Sequence, residues 1–306
     1  MSKKILNTTS YEGELSIKLE GKWQIIKNSN CDLLQFLERT ESEIIDEFTL
    51  SSYNEDEYQD ALPFRPTAYR DFMLYEKHAI DAARGFVKKY MPNVLPLINI
   101  FEKLTGRPFP KLKPAKRYYK YPIYYLGNHL NFVSENHAIN IPSYTEALDY
   151  ELEIAAIITK PLLNASIDEV TDAIGGFVIL NDFSARDVQL DELKSGFGPM
   201  KTKNFKSSIS AIVVSKDEIL SSIDNLKARV FINNERIAQS STQNKRYSFQ
   251  EAIAYASWEE QLHPGEIFGS GTIPGCTGIE NGRMLEKGDK ITLEVEKMGR
   301  LSNMIV

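Results

Sequence analysis

A strand-rich α+β fold is predicted for this 306-residue chain by three observations. From about residue 122 onward, short apolar runs of strand character outnumber helical patterns. The few helical patterns do not alternate regularly with those strands, which argues against βαβ units and for a mixed, β-rich core of about 200 residues. Apolar residues at 42% beside charged residues at 25% are an ordinary globular composition, and a chain of this length can bury a sizeable core.

The elements follow in order. Residues 1–62 read as a small leading module and 63–306 as the main domain. Glu14, Leu15, Ser16, Ile17, Lys18 and Leu19 alternate polar and apolar, and Gly21 turns the chain into Trp23-Gln24-Ile25-Ile26, a hairpin signal. Residues 32–40 place Leu33, Leu34, Phe36 and Leu37 at helical spacing behind Asp32, a plausible N-cap. The acidic stretch 53–57, followed by Pro63 and Pro66, reads as a linker. A helix is predicted from Asp71 or Phe72 to about Tyr90, with Phe72, Tyr75, Ala79, Ala82, Ala83 and Phe86 as its apolar stripe and Pro92 limiting it. Residues 107–122, rich in Pro and Lys, read as loop. Strands are predicted at 148–158, 176–180, 208–214, 228–232 and 291–295, with short helices at 185–193 and 249–258. Asn233-Asn234 is a hairpin turn signal.

Composition excludes several classes. Lys plus Arg is 36 against 42 for Asp plus Glu, a formal charge of −6, so a general nucleic-acid binder is not expected. No apolar run approaches the ~20 residues that span a bilayer, so no membrane partner is expected. Lys3 and Lys4 lead into no apolar segment, so no secretory signal is read. Cys31 and Cys276 stand alone, which leaves neither a disulfide framework nor a thiolate zinc cluster. A reducing cytoplasmic compartment is the expectation.

Five segments could carry chemistry. In Asp149-Tyr150-Glu151-Leu152-Glu153, strand periodicity puts Glu151 and Glu153 on one face, either as a paired acidic site or as the solvated side of a strand. After Gly175–Asn181, Asp182 is either a helix cap or a ligand, and Arg186 and Gln189 follow on one helical face. Asp71 and His78, seven apart, would share a helix face. His78 and Asp81 could hydrogen-bond as a general base with its acid, although a surface histidine among acids gives the same pattern. Lys203 lies in a loop where lysines are usually solvated. Gly269-Ser270-Gly271-Thr272-Ile273-Pro274-Gly275 is a tight turn or a backbone nest for an anion.

Taken together, these segments, in this order, resemble the fumarylacetoacetate hydrolase family over roughly residues 63–306. The strings that carry it are D-F-x₅-H-A, L-D-Y-E-L-E-I-A, N-D-F-S-A-R-D-V-Q, G-S-G-T and the closing K-G-D-K-I-T-L-E-V with G-R-L-S-N. The resemblance implies a mixed β-sandwich roll of the fumarylacetoacetase C-terminal type. It implies a divalent metal on Glu151, Glu153, Asp182 and Asp71; oxygen ligands suit Mg²⁺, with Ca²⁺ or Mn²⁺ also possible. It further implies a metal-dependent hydrolase cleaving a C–C bond in a small diketo acid or acylpyruvate. His78 would activate water, Lys203 would stabilise an oxyanion, and Tyr125, Arg186, Gln189 and Thr272 would contact substrate. Oxo-acid decarboxylase, hydratase and isomerase activities are the alternatives on the same metal site. The acid that orients His78 is Asp81, Glu286 or Glu280. Val87 and Thr202 depart from the fumarylacetoacetase pattern, which has an arginine and a glycine there. A homodimer is expected from the family, and 108–121 and 191–197 are the expected lids.

Overall fold

The computed structural model describes residues 4–8, 14–19, 22–27, 32–52 and 62–306. The expected acidic linker at 53–57, Gly21 and Cys31 lie outside them.

The leading residues form β1 (Lys4–Thr8), β2 (Glu14–Leu19), β3 (Lys22–Lys27), α1 (Leu33–Glu38), α2 (Glu41–Glu47) and β4 (Thr49–Ser52). β2 and β3 pair antiparallel as the alternation predicts, with Leu15 opposite Ile26. α1 begins behind Asp32 because the cap is reciprocal. The Gln35 N–H donates to Asp32 Oδ1 at 3.0 Å, and the Asp32 N–H donates to Gln35 Oε1 at 3.2 Å. The predicted run 32–40 therefore ends early, and Thr40 opens α2 with the same device through Glu43.

The rest of the chain runs β5 (Tyr69–Phe72), α3 (Glu76–Tyr90), α4 (Leu95–Thr105), β6 (Tyr124–Gly127), β7 (Phe132–Ser134), β8 (Ala138–Ile139), β9 (Leu148–Asp149), β10 (Leu152–Ile158), α5 (Ile167–Ala173), β11 (Ile174–Asn181), β12 (Ser184–Ala185) and α6 (Arg186–Lys194). β13 (Ser207–Ile209), β14 (Ile212–Ser215), α7 (Lys216–Ile219), β15 (Lys227–Ile232), β16 (Glu235–Ser241), α8 (Phe249–Ala256), β17 (Ile267–Gly269), α9 (Gly278–Asn281), β18 (Lys290–Val295) and β19 (Gly299–Ile305) complete it. Asn233 and Asn234 both have positive φ, 53° and 67°, as a tight β15–β16 hairpin requires.

Three expectations change. Asp71 is not helical: residues 69–72 form a buried strand between β17 and β6, and α3 starts only at Glu76. Sheet pairing on both sides outweighs the helical spacing there. The predicted strand 148–158 breaks at Tyr150 and Glu151, where Glu151 makes an isolated bridge to Thr277. α4 was not anticipated because Pro92 and Pro96 punctuate it, yet a proline in the first helical turn costs no hydrogen bond.

Among the described residues the strands form a twelve-stranded sheet, ordered β4-β3-β2-β1-β14-β11-β10-β17-β5-β6 with β13 and β7 off that path, a five-stranded sheet, β16-β15-β18-β19-β8, and the two-stranded pair β12-β9. β1 pairs antiparallel with β14, so the leading strands continue the main sheet. Period-two alternation then decides what each face covers. Leu152, Ile154, Ala156 and Ile158 of β10 pack with Val230, Leu293 and Leu301 of the five-stranded sheet. Ala155 and Ile157, with Val178 and Leu180 of β11, pack instead against Leu15, Ile17, Leu33 and Phe36 of the leading residues. This two-layered, mixed arrangement is the β-rich α+β fold expected from the sequence. No helix among the described residues is long and apolar enough to cross a membrane.

Candidate active site

The same alternation places the acids. Glu153 shares the face of Ala155 and Ile157, Asp71 shares that of Tyr69, and Asp182 lies two residues beyond Leu180. All three project on the sheet face covered by the leading residues. β17 lies between β10 and β5, with Gly269 registered against Ala155 on one side and Asp71 on the other. A Cβ at Gly269 would collide with Asp71 Oδ1 and stand 2.9 Å from Glu153 Oε2. The missing side chain is the space in which two carboxylates from non-adjacent strands meet.

Asp71, Glu153 and Asp182 each bring a carboxylate oxygen within 4.8 Å of the others, all buried. Asp182 has protein partners: the Tyr125 hydroxyl donates at 2.7 Å, the Ser207 hydroxyl at 3.1 Å, and Lys203 Nζ is 2.5 Å away. It does not cap α6. Asp71 accepts one long bond, 3.3 Å, from the Gly271 N–H. Neither oxygen of Glu153 accepts from an amide, hydroxyl or cationic group among the described residues; its one hydrogen-bonding neighbour there is the Asp71 carboxyl. Burial pushes the Asp71 carboxyl up to about 8, reinforced by Asp182, and lifts Glu153 well above the usual carboxylate range, reinforced by Asp71 and Asp182.

Glu151 faces the other way electrostatically. It pairs with Arg186 Nη2 and Lys203 Nζ, and these cations outweigh burial and hold its carboxyl below the ordinary range. It is not one of the three converging acids; Lys203 joins it to them by spanning Glu151 and Asp182. Both Glu151 and Glu153 are buried, which removes the reading of a solvated acidic strand.

Arg186 is committed inside the protein. Its Nε–H donates to Asp149 Oδ2 at 2.7 Å, Nη1 to Gln189 Oε1 at 2.8 Å, and Nη2 to both Glu151 and Thr277 Oγ1, the latter at 3.0 Å. Four of the five guanidinium N–H groups are thereby used. In this geometry Arg186 and Gln189 serve each other rather than an open fork for a substrate carboxylate. Tyr125 serves Asp182, while the buried Thr272 hydroxyl has no partner among the described residues.

His78, on the first turn of α3, is buried, with Nδ1 2.6 Å from Glu280 Oε1. The two other acids proposed to orient it lie elsewhere. Asp81 is one turn further along α3 and pairs with Lys77; Glu286 is 81% exposed in a surface turn near Arg283. The reason is topological: α9 lays Glu280 against α3, whereas Asp81 faces outward. The turn at 269–275 is no open anion nest, since the Gly271 and Gly275 N–H groups already donate to Asp71 and Glu280.

Sequence reasoning missed Asp149, Ser207, Glu192 and Gly269. Glu192, on α6, accepts the N–H groups of Met200 and Lys201 at 2.7 Å and of Thr202 at 3.2 Å, which fixes the loop leading into Lys203. The expected lid at 108–121 is pinned: the Tyr119 hydroxyl donates to Glu76 at 2.7 Å, and Arg246 and Tyr247 donate to the carbonyls of Tyr119 and Tyr118 at 3.0 Å.

Asp71, Asp149, Glu151, Glu153 and Asp182 are thus five buried carboxylates facing two buried cations, Arg186 and Lys203. An ionised, unpaired buried carboxylate costs several kcal/mol. An oxygen-only donor set with a deficit of positive charge fits a hard divalent cation on Asp71, Glu153 and Asp182, with Glu151 beside it. The fold and site therefore define a buried, acid-lined centre suited to a cation, with a histidine–carboxylate pair whose imidazole lies within electrostatic reach of Glu151.

That class has a family. The model described as fumarylacetoacetate (FAA) hydrolase C-terminal matches residues 104–306, and the chain belongs to the fumarylacetoacetate hydrolase family. Asp71 and His78 precede the matched stretch. A mitochondrial oxaloacetate tautomerase of Xenopus laevis is 29% identical over 188 residues, 61% of this chain and 59% of that protein. A homoprotocatechuate catabolism bifunctional isomerase/decarboxylase of Escherichia coli is 29% identical over 188 residues, 60% of this chain and 41% of that protein. The chain thus spans less than two thirds of these relatives. Among solved structures, a fumarylacetoacetate hydrolase from Exiguobacterium antarcticum superposes over 100% of this chain and 99% of its own with a TM-score of 0.72 at 17% identity, a likeness of fold.

Proposed function

We propose that this chain is a divalent-cation-dependent enzyme that moves a proton on a small 2-oxo acid, with keto–enol tautomerisation of a 2-oxo diacid as the first reading. The observations that carry it are a cation-deficient carboxylate trio and a buried His78 that is held by Glu280 and lies within electrostatic reach of Glu151. Relatives named as an oxaloacetate tautomerase and as an isomerase/decarboxylase favour that reaction. A divalent ion on Asp71, Glu153 and Asp182, Mg²⁺ in our reading with Mn²⁺ or Ca²⁺ as alternatives, would polarise a substrate oxo group.

The chain's own residues do the rest. With Glu280 ionised, Nδ1 of His78 carries the proton and Nε2 is the ring atom left to accept one. Lys203 stays an ammonium: burial lowers its pKa, but Asp182 and Glu151 outweigh that and raise it. Two carboxylates engage Nζ, which leaves one N–H for an oxyanion. The Thr272 hydroxyl supplies a further polar contact. Hydrolysis of a C–C bond in an acylpyruvate or diketo acid is the second reading, and the His78–Glu280 pair favours it as well, because it suits activation of water. A cytoplasmic homodimer completes the proposal.

Oxaloacetate and acylpyruvates incubated with Mg²⁺ or Mn²⁺ test it, with enol absorbance and pyruvate release followed together. We expect turnover that falls about 100-fold or more in His78→Ala. Decarboxylation surviving that substitution would reassign the reaction to a decarboxylase; no turnover of any oxo acid with metal bound would overturn the reading.

A further inference from the structure

We propose that Asp149 is a positioning residue that sets His78 and the Glu151–Lys203 pair at once. The proposal rests on the functional reading above only in treating His78 as the proton-moving group.

Asp149 is fully buried at the end of β9, with both carboxylate oxygens saturated. Oδ1 accepts the N–H groups of Tyr150 at 2.8 Å and Gly278 at 2.6 Å. Oδ2 accepts Arg186 Nε–H at 2.7 Å, the Thr277 hydroxyl at 2.8 Å and the Ile279 N–H at 3.0 Å. Two chains of contact leave this one carboxylate. The first runs through Arg186 to Glu151, which in turn holds Lys203. The second runs through α9, a four-residue helix too short to hold itself in place. Its N-cap residue, Thr277, makes no capping bond to it. Instead Asp149, remote in sequence, takes its first two N–H groups.

α9 then delivers Glu280 to Nδ1 of His78. It also touches α3 a second time, at Gly85, where an added Cβ would collide with the Ile279 carbonyl. Gly85 lies seven residues, about two turns, beyond His78 on the same helix face. The residue whose N–H is held by Asp149 is thus the one packed on α3, two turns along from the base. A shift of Asp149 moves α9, and α9 can move only with Glu280.

Asparagine is the sharp substitution. Whichever oxygen becomes the NH₂ group, it faces at least two donors, so Asp149→Asn cannot reproduce the bonding by flipping. The readout is the Nδ1–H proton of His78, observed by NMR in metal-free and substrate-free protein and assigned by its loss in His78→Gln. Glu280→Gln should move it directly. Asp149→Asn should shift it and speed its exchange with water about tenfold or more. Where 2-oxo acid turnover is measurable, kcat should fall more than KM rises. Glu266→Gln is the control, since it breaks another buried ion pair, with Arg70, away from α9. It should lower stability while leaving the His78 proton in place. If Asp149→Asn does not fold, Thr277→Val removes one donor from Oδ2 and the acceptor of Arg186, and is read in the same way. An unmoved His78 proton in a folded Asp149→Asn or Thr277→Val protein would overturn the proposal. Because the NMR readout needs no turnover, failure of the 2-oxo acid screen leaves this test standing.

Discussion

Two pairs of buried acids, close in space and alike in composition, are treated in opposite ways by the protein around them. Asp149 and Glu151 sit among Arg186, Lys203, Thr277 and backbone N–H groups. Among the described residues, Asp71 and Glu153 have only one long backbone bond and each other's carboxyl. Glu151 is held in its charged form, while Asp71 and Glu153 are pushed toward protonation, although all four are buried. Burial alone therefore does not mark a cation site. What marks it is the withholding of partners that the fold has supplied to neighbouring acids.

Removing one charge from each pair should break the comparison most visibly. Glu151→Gln takes one carboxylate partner from each of two buried cations and should cost about 3 kcal/mol in denaturant unfolding of the metal-free protein. Glu153→Gln removes an acid that must take up a proton to be buried, so at neutral pH the metal-free protein should gain about 1 kcal/mol or more. The same variant should bind Mn²⁺ at least about 100-fold more weakly by calorimetry, beyond the loss of an outer partner. Like signs for the two stability changes would erase the distinction between the pairs.

A pH series sharpens the comparison with a smaller effect. Acids with raised folded-state pKa values bind more protons folded than unfolded, so stability falls as pH rises through that interval. Metal-free protein should lose melting temperature from about pH 4, where such acids ionise in the unfolded chain, up to the Asp71 value of about 8. Saturating Mg²⁺ should flatten that slope. Glu151 contributes the opposite trend, stability lost only as pH falls below its unfolded value. The smallest effects belong to Asp81→Asn and Glu286→Gln, whose exposed pairs should be worth within about 0.5 kcal/mol and whose loss should leave turnover unchanged.

The acidic strings and His78 were legible in the sequence because charged residues inside apolar runs stand out whatever their setting. Their arrangement was less so. The helical spacing of Asp71 and His78 suggested one shared face, but strand pairing on both sides of residues 69–72 put them on different elements. Glu280 was one candidate of three, and only the docking of α9 on α3 singles it out. Asp149 was invisible because its role lies in partners remote along the chain, Arg186 and residues 277–279, which no local pattern encodes. Arg186 looked like a substrate contact for the converse reason: a sequence shows that a guanidinium is present but not that its donors are already engaged.

The continuation of the main sheet into β1 has a practical consequence for anyone shortening the chain. A fragment starting at residue 63 would leave β14 with a bare edge on the side where β1 pairs. It would also strip Leu15, Ile17, Leu33 and Phe36 from the face that carries the acids. Open edges and wide apolar patches both invite self-association. Such a fragment should come out of solution as aggregate even though every residue discussed for catalysis is still present.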